Sequence, residues 1–238
     1  WEKTGGVVSP FSKTPLTKFC GDEAALIHEK VPSAWVGVGQ NRVKQFNKVK
    51  DLAKKNNKKI DLVILDDGFQ QLGLQKDLEI IALTSLQKSQ AFFREWPFTV
   101  RSSDLLVWTK GHYKPRSFGV PMVQTKYKLN TVKTDTPLWL VTGVASGDDV
   151  LNSLLADGVH IKKHVSLPDH VLYNQPQVEK ILLEAKGQNC QIAVTGKDWV
   201  KWKEIKGVDL SNVTVVEPEV IFTSGKDLWL KTVLFQKH

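Results

Sequence analysis

Cysteine and methionine are scarce in this chain of 238 residues: Cys20, Cys190 and Met122 account for all of them. Two cysteines far apart, in no metal-ligand spacing, exclude a disulfide framework and a thiolate zinc site. They read as two unpaired buried thiols in a reducing compartment. No apolar run approaches the ~18–20 residues of a membrane-spanning helix. The longest, around 60–65 and 78–83, have the size of strands. The chain opens on Trp1, and its first ten residues mix charge, glycine and proline. A signal peptide is not expected there, and a chain without an initiating methionine or a targeting pattern is expected to be incomplete. Internal repeats and low-complexity segments are lacking too.

A further absence concerns chemistry. Nowhere in the chain does Gly-x4-Gly-Lys-Ser/Thr occur, the loop that cradles nucleotide phosphates. The turn Thr142-Gly143-Val144-Ala145-Ser146-Gly147 has a superficial likeness to it. It lacks the Gly-Lys-Ser/Thr ending, and Asp148-Asp149 stand where a phosphate would sit. It reads as an ordinary strand-to-helix turn.

What is present is an ordinary globular composition, 41% hydrophobic and 24% charged. The net charge of +8 and the pI near 9.3 suit an anionic partner: nucleic acid, a phosphorylated substrate or an acidic membrane surface. Nucleic acid is not expected, because no recognition motif and no basic-aromatic stripe accompany the charge. Lys54, Lys55, Lys58 and Lys59 cluster where a helix ends, a position in which cations complement the helix dipole.

Along the chain, short buried strands alternate with amphipathic helices. Gly21 or Asp22 opens a helix through His28, and 34–38 is a strand. Asn41 caps a helix carrying Val43, Phe46, Val49, Leu52 and Ala53 on one side, which Asn56-Asn57 ends. Strands are expected at 62–65, 78–84 and 105–109. In 120–132, Val123, Thr125, Tyr127 and Leu129 recur at period two, the pattern of a half-exposed strand. A second series follows: strand 138–141, helix 148–156, a helix started by Pro176 with Val178, Ile181 and Leu182 inward, then strands 192–195 and 213–216. The fold class is therefore α/β. The expected organisation is a first domain over 1–112, a β connector over 113–137 and a second α/β domain over 138–238.

The strongest local signal is Leu62-Val63-Ile64-Leu65-Asp66-Asp67-Gly68-Phe69-Gln70. A buried strand that delivers two carboxylates and a glycine to a sheet edge is a common way to hold Mg²⁺ near a phosphate. Turn formation or capping explains one such acid, but two adjacent acids cannot both cap the same helix. Asp22, in Gly21-Asp22-Glu23 at a helix start, is either a cap or a general base. His170, in Pro168-Asp169-His170, is a surface residue or the partner of a carboxylate base. Arg94-Glu95 is a surface pair, or Arg94 clamps phosphate oxygens.

In this order the residues resemble the tetraacyldisaccharide 4'-kinase family of lipid A biosynthesis. Gly21-Asp22-Glu23, Arg42, Asp66-Asp67-Gly68-Phe69-Gln70, Lys76-Asp77, Arg94-Glu95, Asp104, Gly143-Val144-Ala145, Pro168-Asp169-His170, Thr195 and Lys197-Asp198 follow the family's order and approximate spacing. The resemblance implies two α/β/α sandwich domains, the first kinase-like but without its nucleotide-binding strand, loop and helix, which belong upstream of Trp1. It implies transfer of the γ-phosphate of ATP, with Mg²⁺, to the 4'-hydroxyl of a tetraacyldisaccharide 1-phosphate, giving lipid IVA. The partners it implies are that acylated lipid and an anionic membrane surface, at the cytoplasmic face of the bacterial inner membrane. It makes Asp22 the base, His170 its partner, Asp66 and Asp67 the metal acids and Arg94 a phosphate contact. Glu23, Arg42, Gln70 and Glu95 line the site. Such acids and histidine, on separate domains, would meet as a cleft closes. Departures from the pattern are Gln71, where the family usually has His, the stretch Lys88-Ser89-Gln90-Ala91-Phe92-Phe93 before Arg94, and Gly196 in place of an acid. They keep open a second function, a non-catalytic descendant that binds glycolipid or protein.

Overall fold

The computed structural model describes residues 6–13, 16–71, 73–85, 97–111, 114–130 and 134–234. In chain order the elements are β1 (Gly6–Val8), α1 (Thr17–Lys30), β2 (Val36–Val38), α2 (Arg42–Lys55) and β3 (Ile80–Ser85). A 3₁₀ helix (Pro97–Ser102), β4 (Leu105–Gly111), β5 (Met122–Leu129), β6 (Leu138–Thr142), α3 (Gly147–Ala156) and β7 (Ile161–Ser166) come next. The last are α4 (Gln175–Gly187), β8 (Gln191–Thr195), α5 (Gly196–Trp202), β9 (Val213–Val216), β10 (Pro218–Ser224) and α6 (Lys226–Leu234). The molecule is α/β, as its alternating pattern requires.

Two compact units divide the chain, and they interleave in sequence. Residues 1–63 group with 129–217, and 64–128 group with 218–238. This division differs from the consecutive one expected from the order of elements: α1 packs on α5 of the second α/β series.

In the first unit a four-stranded sheet has the order β7-β6-β8-β9, with all neighbouring pairs parallel. β6 and β8 are its inner strands, which is why Leu138-Trp139-Leu140-Val141 and Ile192-Ala193-Val194 are unbroken apolar runs with almost no exposure. At the edge, β7 carries Lys162 and Lys163, charges that discourage further strand pairing. The Lys163 ammonium lies 3.9 Å from the centre of the Trp139 ring, a cation–π contact between registered neighbours. Trp139, Val178, Ile181, Ala185, Ile192, Val194 and Trp202 form the core beneath α4 and α5. A second cluster joins Val8, Leu16, Cys20, Ala24 and Ala25 to Val200, and so seats α1 on α5.

Helix starts follow capping chemistry. Asn41, Asn174 and Thr195 each accept, through the side-chain oxygen, the amide of the residue three positions on: Lys44, Gln177 and Asp198. Pro176 sits in the first turn of α4, where its missing N–H costs nothing.

In the second unit the order is β10-β5-β4-β3, with β3–β4 and β4–β5 parallel. Leu83, Val100, Leu106 and Val120 are its core. Along β5, Val123, Thr125 and Leu129 are buried and Tyr127 is exposed, so the period-two reading holds except at Tyr127.

The expected strand at 62–65 is not formed. Its backbone is in no ladder, and Leu62, Val63 and Ile64 are exposed. A continuous apolar run becomes a strand only where neighbours take its amides and carbonyls. Here it is the passage from one unit to the other, and among the described residues no strand flanks it. The inward face expected for α2 is likewise half covered: Val49 and Ala53 are buried, while Val43, Phe46 and Leu52 are exposed.

Candidate active site

The site in the first unit begins with a glycine. Within α1, Gly21 has φ 84° and ψ 167°, a conformation that costs side-chain-bearing residues dearly, and the helix breaks there. Asp22 therefore starts a new helical stretch, as its sequence context suggests. Its Oδ1 accepts the Glu23 amide at 3.0 Å. The break turns the carboxylate inward, toward α5 and the loop before α4.

Two cationic or protonatable groups meet it there. His170 Nδ1 lies 3.2 Å from Asp22 Oδ2 and 3.3 Å from Oδ1. Lys201 Nζ lies 3.1 Å from Oδ2. The Asp22 and Lys201 side chains are 9% and 6% exposed, whereas His170 is 61% exposed. Burial pushes the Asp22 carboxyl pKa up. The bonds and charges of Lys201 and His170 outweigh that and hold it below the ordinary carboxylate range. His170 itself has φ 57°, a left-handed conformation, with its amide donating to Asp169 Oδ1 at 3.0 Å. That tight Asp-His turn presents the imidazole to Asp22.

Lys201 is held from beneath. Its Nζ is 3.6 Å from Asp198 Oδ1 and 3.4 Å from the Val171 carbonyl, and 5.7 Å from the Tyr173 ring centre. Asp198 is fully buried and accepts from the Gly143 amide (2.9 Å), Thr195 Oγ1 (2.7 Å) and Tyr173 OH (2.9 Å). The close fit requires glycine at 143, since a Cβ there would lie 2.5 Å from Val171 Cγ1 and 2.8 Å from Asp198 Oδ1. The turn after β6 is thus part of the platform beneath Asp22. Glu23, exposed, pairs with Lys197 Nζ at 2.6 Å. Burial works against the Lys197 ammonium, but Glu23, Asp22 and Asp169 raise its pKa above the usual value.

A second set of residues lies in the other unit. Asp66 and Asp67 are exposed in a turn, with Asp67 at φ 51°. At Gly68 a Cβ would sit 2.7 Å from the Leu65 Cβ, so the turn closes tightly after the acids. Lys76 anchors it: Nζ donates to the Gly68 carbonyl at 3.0 Å and pairs with Glu79 at 2.5 Å. The Glu79 amide in turn donates to Asp104 Oδ2 at 2.7 Å, at the root of β3 and β4. Among the described residues no group of three or more His, Cys, Asp or Glu side chains forms a metal cage. Two adjacent, exposed carboxylates nonetheless fit Mg²⁺, which prefers one or two protein carboxylates and fills its shell with phosphate oxygens and water.

Against this geometry the comparisons with known proteins are direct. The sequence profile of the family described as Tetraacyldisaccharide-1-P 4'-kinase matches residues 3–234.

The chain belongs to the tetraacyldisaccharide 4'-kinase family.

A tetraacyldisaccharide 4'-kinase of Geobacter metallireducens is 27% identical over 231 residues, covering 87% of this chain and 66% of that protein. One from Chlamydia pneumoniae is 25% identical over 254 residues, covering 95% and 68%. The chain thus spans about two thirds of the length of these curated relatives. The crystal structure of an "apo" form LpxK from Aquifex aeolicus in complex with ATP aligns over 98% of this chain and 74% of that one, with TM-score 0.70 and 20% identity. That likeness shows a shared fold.

Of the residues singled out from sequence, Asp22, Glu23 and His170 are brought into one neighbourhood, all in the first unit. The pair Asp22–His170 is already in contact, so the expectation that it forms only on domain closure is corrected: the helix bearing Asp22 is packed on α5. Arg42, at the start of α2, donates from Nη1 to the Gly39 carbonyl at 2.6 Å. Asp66, Asp67 and Gln70 share the exposed turn of the second unit. Arg94 and Glu95 lie outside the described residues, as does the stretch 88–93. Sequence reasoning missed Lys201 and Tyr173. The available signal was a lysine set between the apolar residues Val200 and Trp202, three positions after Asp198.

Proposed function

We propose that the protein supplies the acceptor-activating and metal-binding groups of a lipid A kinase, which transfers the γ-phosphate of ATP to the 4'-hydroxyl of tetraacyldisaccharide 1-phosphate to give lipid IVA. The observation that carries this reading is the buried Asp22 carboxylate held by His170 and Lys201, in a chain of the kinase family. A carboxylate has about four acceptor positions. The Glu23 amide, His170 and Lys201 take up part of them, which leaves room for one incoming hydroxyl. Asp22 is a weak base, yet phosphoryl transfer passes through a loose transition state in which the hydroxyl proton leaves late, so a strong base is not needed. What is needed is an acceptor that is always ionised and correctly aimed. His170, on the exposed side, orients the carboxylate and can share the proton it receives.

Asp66 and Asp67 would hold Mg²⁺, which when bound neutralises charge on the nucleotide phosphates. Arg94 is proposed to contact the transferred phosphate, with Arg42, Gln70, Glu23 and Glu95 lining the site. The excess of basic charge suits an acylated disaccharide phosphate among anionic lipids at the cytoplasmic face of the inner membrane.

Joined to a phosphate-binding loop, these 238 residues are expected to transfer label from γ-labelled ATP to the acyl disaccharide 1-phosphate, with turnover abolished in Asp22→Ala and in Asp66→Ala. Wild-type rates in both variants would refute the assignment. The 238 residues alone, which have no Gly-x4-Gly-Lys-Ser/Thr loop, are expected to show no micromolar ATP binding by calorimetry. The binding-only reading draws support from Gln71, and it takes precedence if the loop-bearing protein binds the lipid but transfers no phosphate.

A further inference from the structure

The buried groups around Asp22 do not balance in charge. Asp22 and Asp198 are two carboxylates, 9% and 0% exposed, and the one buried cation between them is Lys201. Asp198 already accepts three hydrogen bonds from neutral donors, on Gly143, Thr195 and Tyr173, and its oxygens are fixed by them. Lys201 is itself fixed by the Val171 carbonyl, one residue from His170. Its Nζ therefore cannot follow Asp22 if Asp22 moves; Asp22 must come to it. Removing one partner from such a buried set leaves an uncompensated charge, a far larger loss than that of an exposed pair.

We propose that Lys201 is the positioning residue of this site: its ammonium, anchored on Asp198 and the Val171 carbonyl, fixes the Asp22 carboxylate in the orientation that offers one oxygen to an acceptor hydroxyl. The proposal deepens the kinase reading and rests on it. Lys201 does not touch the reacting atoms, and it acts through Asp22. The same lysine couples two loops to one carboxylate: the turn after β6 through Asp198, and the His170 loop through Val171. The depressed pKa of Asp22 agrees with this geometry. The charged groups facing Asp22 are Lys197, Asp198 and Lys201 on α5, Asp169 and His170 on the loop before α4, and Glu23 on its own helix. Of these only Lys201 is both cationic and buried.

The test is a carboxyl-carbon NMR titration of Asp22 in the 238-residue chain, with Lys201→Met and Lys201→Arg. Methionine keeps length and removes charge, and arginine restores the charge. The Asp22 midpoint is expected to rise by at least about one pH unit in Lys201→Met, the size of effect an opposite charge at this range produces, and to return in Lys201→Arg. An unchanged midpoint in folded Lys201→Met overturns the proposal. Should that variant not fold, Lys201→Met with Asp198→Asn removes the stranded charge, and the same rise or its absence decides. In the phosphate-transferring protein, kcat is expected to fall at least tenfold, its acid limb shifting with the carboxyl midpoint and KM for the lipid unchanged. An effect confined to KM overturns the positioning role. Wild-type protein that transfers no phosphate would sink the kinase reading while leaving the titration result intact, so the two failures are separable.

Discussion

Gly143→Ala is the substitution for which the structure gives the clearest magnitude. The glycine does not have a positive φ, so alanine is conformationally allowed at 143. By itself that would stabilise the fold by about 0.4–1 kcal/mol, through a less free unfolded chain. Contacts oppose it. The new methyl would lie 2.5 Å from Val171 Cγ1, 2.8 Å from Asp198 Oδ1 and 2.9 Å from Tyr173 OH. Overpacking of a filled site costs about 1–3 kcal/mol. Asp198 can retreat only by lengthening its bonds to the Gly143 amide or Tyr173, and a hydrogen bond to a charged group is worth about 1.5–3 kcal/mol. The net expectation is a loss of roughly 2–4 kcal/mol. Because the chain has two units, a single unfolding transition is not assumed. The measurement is native-state hydrogen exchange of the β6 and β8 amides in urea, which reports the first unit directly. A change smaller than about 0.5 kcal/mol, the scale of an inert surface substitution, would refute the reasoning.

Two further outcomes are expected. Burial, and then the charge and hydrogen bond of Asp198, raise the Tyr173 pKa well above the usual phenol value. The folded state therefore favours the neutral phenol, and the stability this contributes is full below the unfolded value of about 10 and is lost as pH climbs beyond it. Absorbance at 295 nm up to pH 11 should be the same in wild type and Tyr173→Phe, and a smaller rise in the variant contradicts this. Burial, and then the charge of Glu204, push the Cys20 thiol up to about 11. At pH 8 only about a thousandth is then thiolate, so a disulfide reagent should label Cys20 in the native protein no faster than urea-sensitive opening allows; full labelling within seconds contradicts this.

Much of the fold was legible where local chemistry and tertiary context agree. Asn41 and Pro176 mark helix starts that form, and the uninterrupted runs of β6 and β8 are the inner strands of a parallel sheet. The run at 62–65 has the same composition and fails to form a strand, because apolarity specifies burial and the neighbours must be supplied by other segments. Unit boundaries were less legible, since a helix such as α1 carries no mark of which sheet it covers. In the site, Asp22 and His170 were readable from their local motifs, which a turn and a broken helix make distinctive. Lys201 was not. With 33 lysines and arginines in the chain, only its position within a buried helix separates it from the solvated ones.

The exposed passage at 62–64 has one more consequence. Three adjacent exposed apolar side chains on a backbone outside any strand ladder are a template for association with other chains. Lys59 and Asp61 stand before it, paired at 2.9 Å, and Asp66 and Asp67 stand after it. Charges in those flanking positions act as gatekeepers against aggregation. The two acids proposed to hold Mg²⁺ would therefore serve a second purpose, and a variant stripped of both is expected to aggregate at lower concentration than wild type, as light scattering would show.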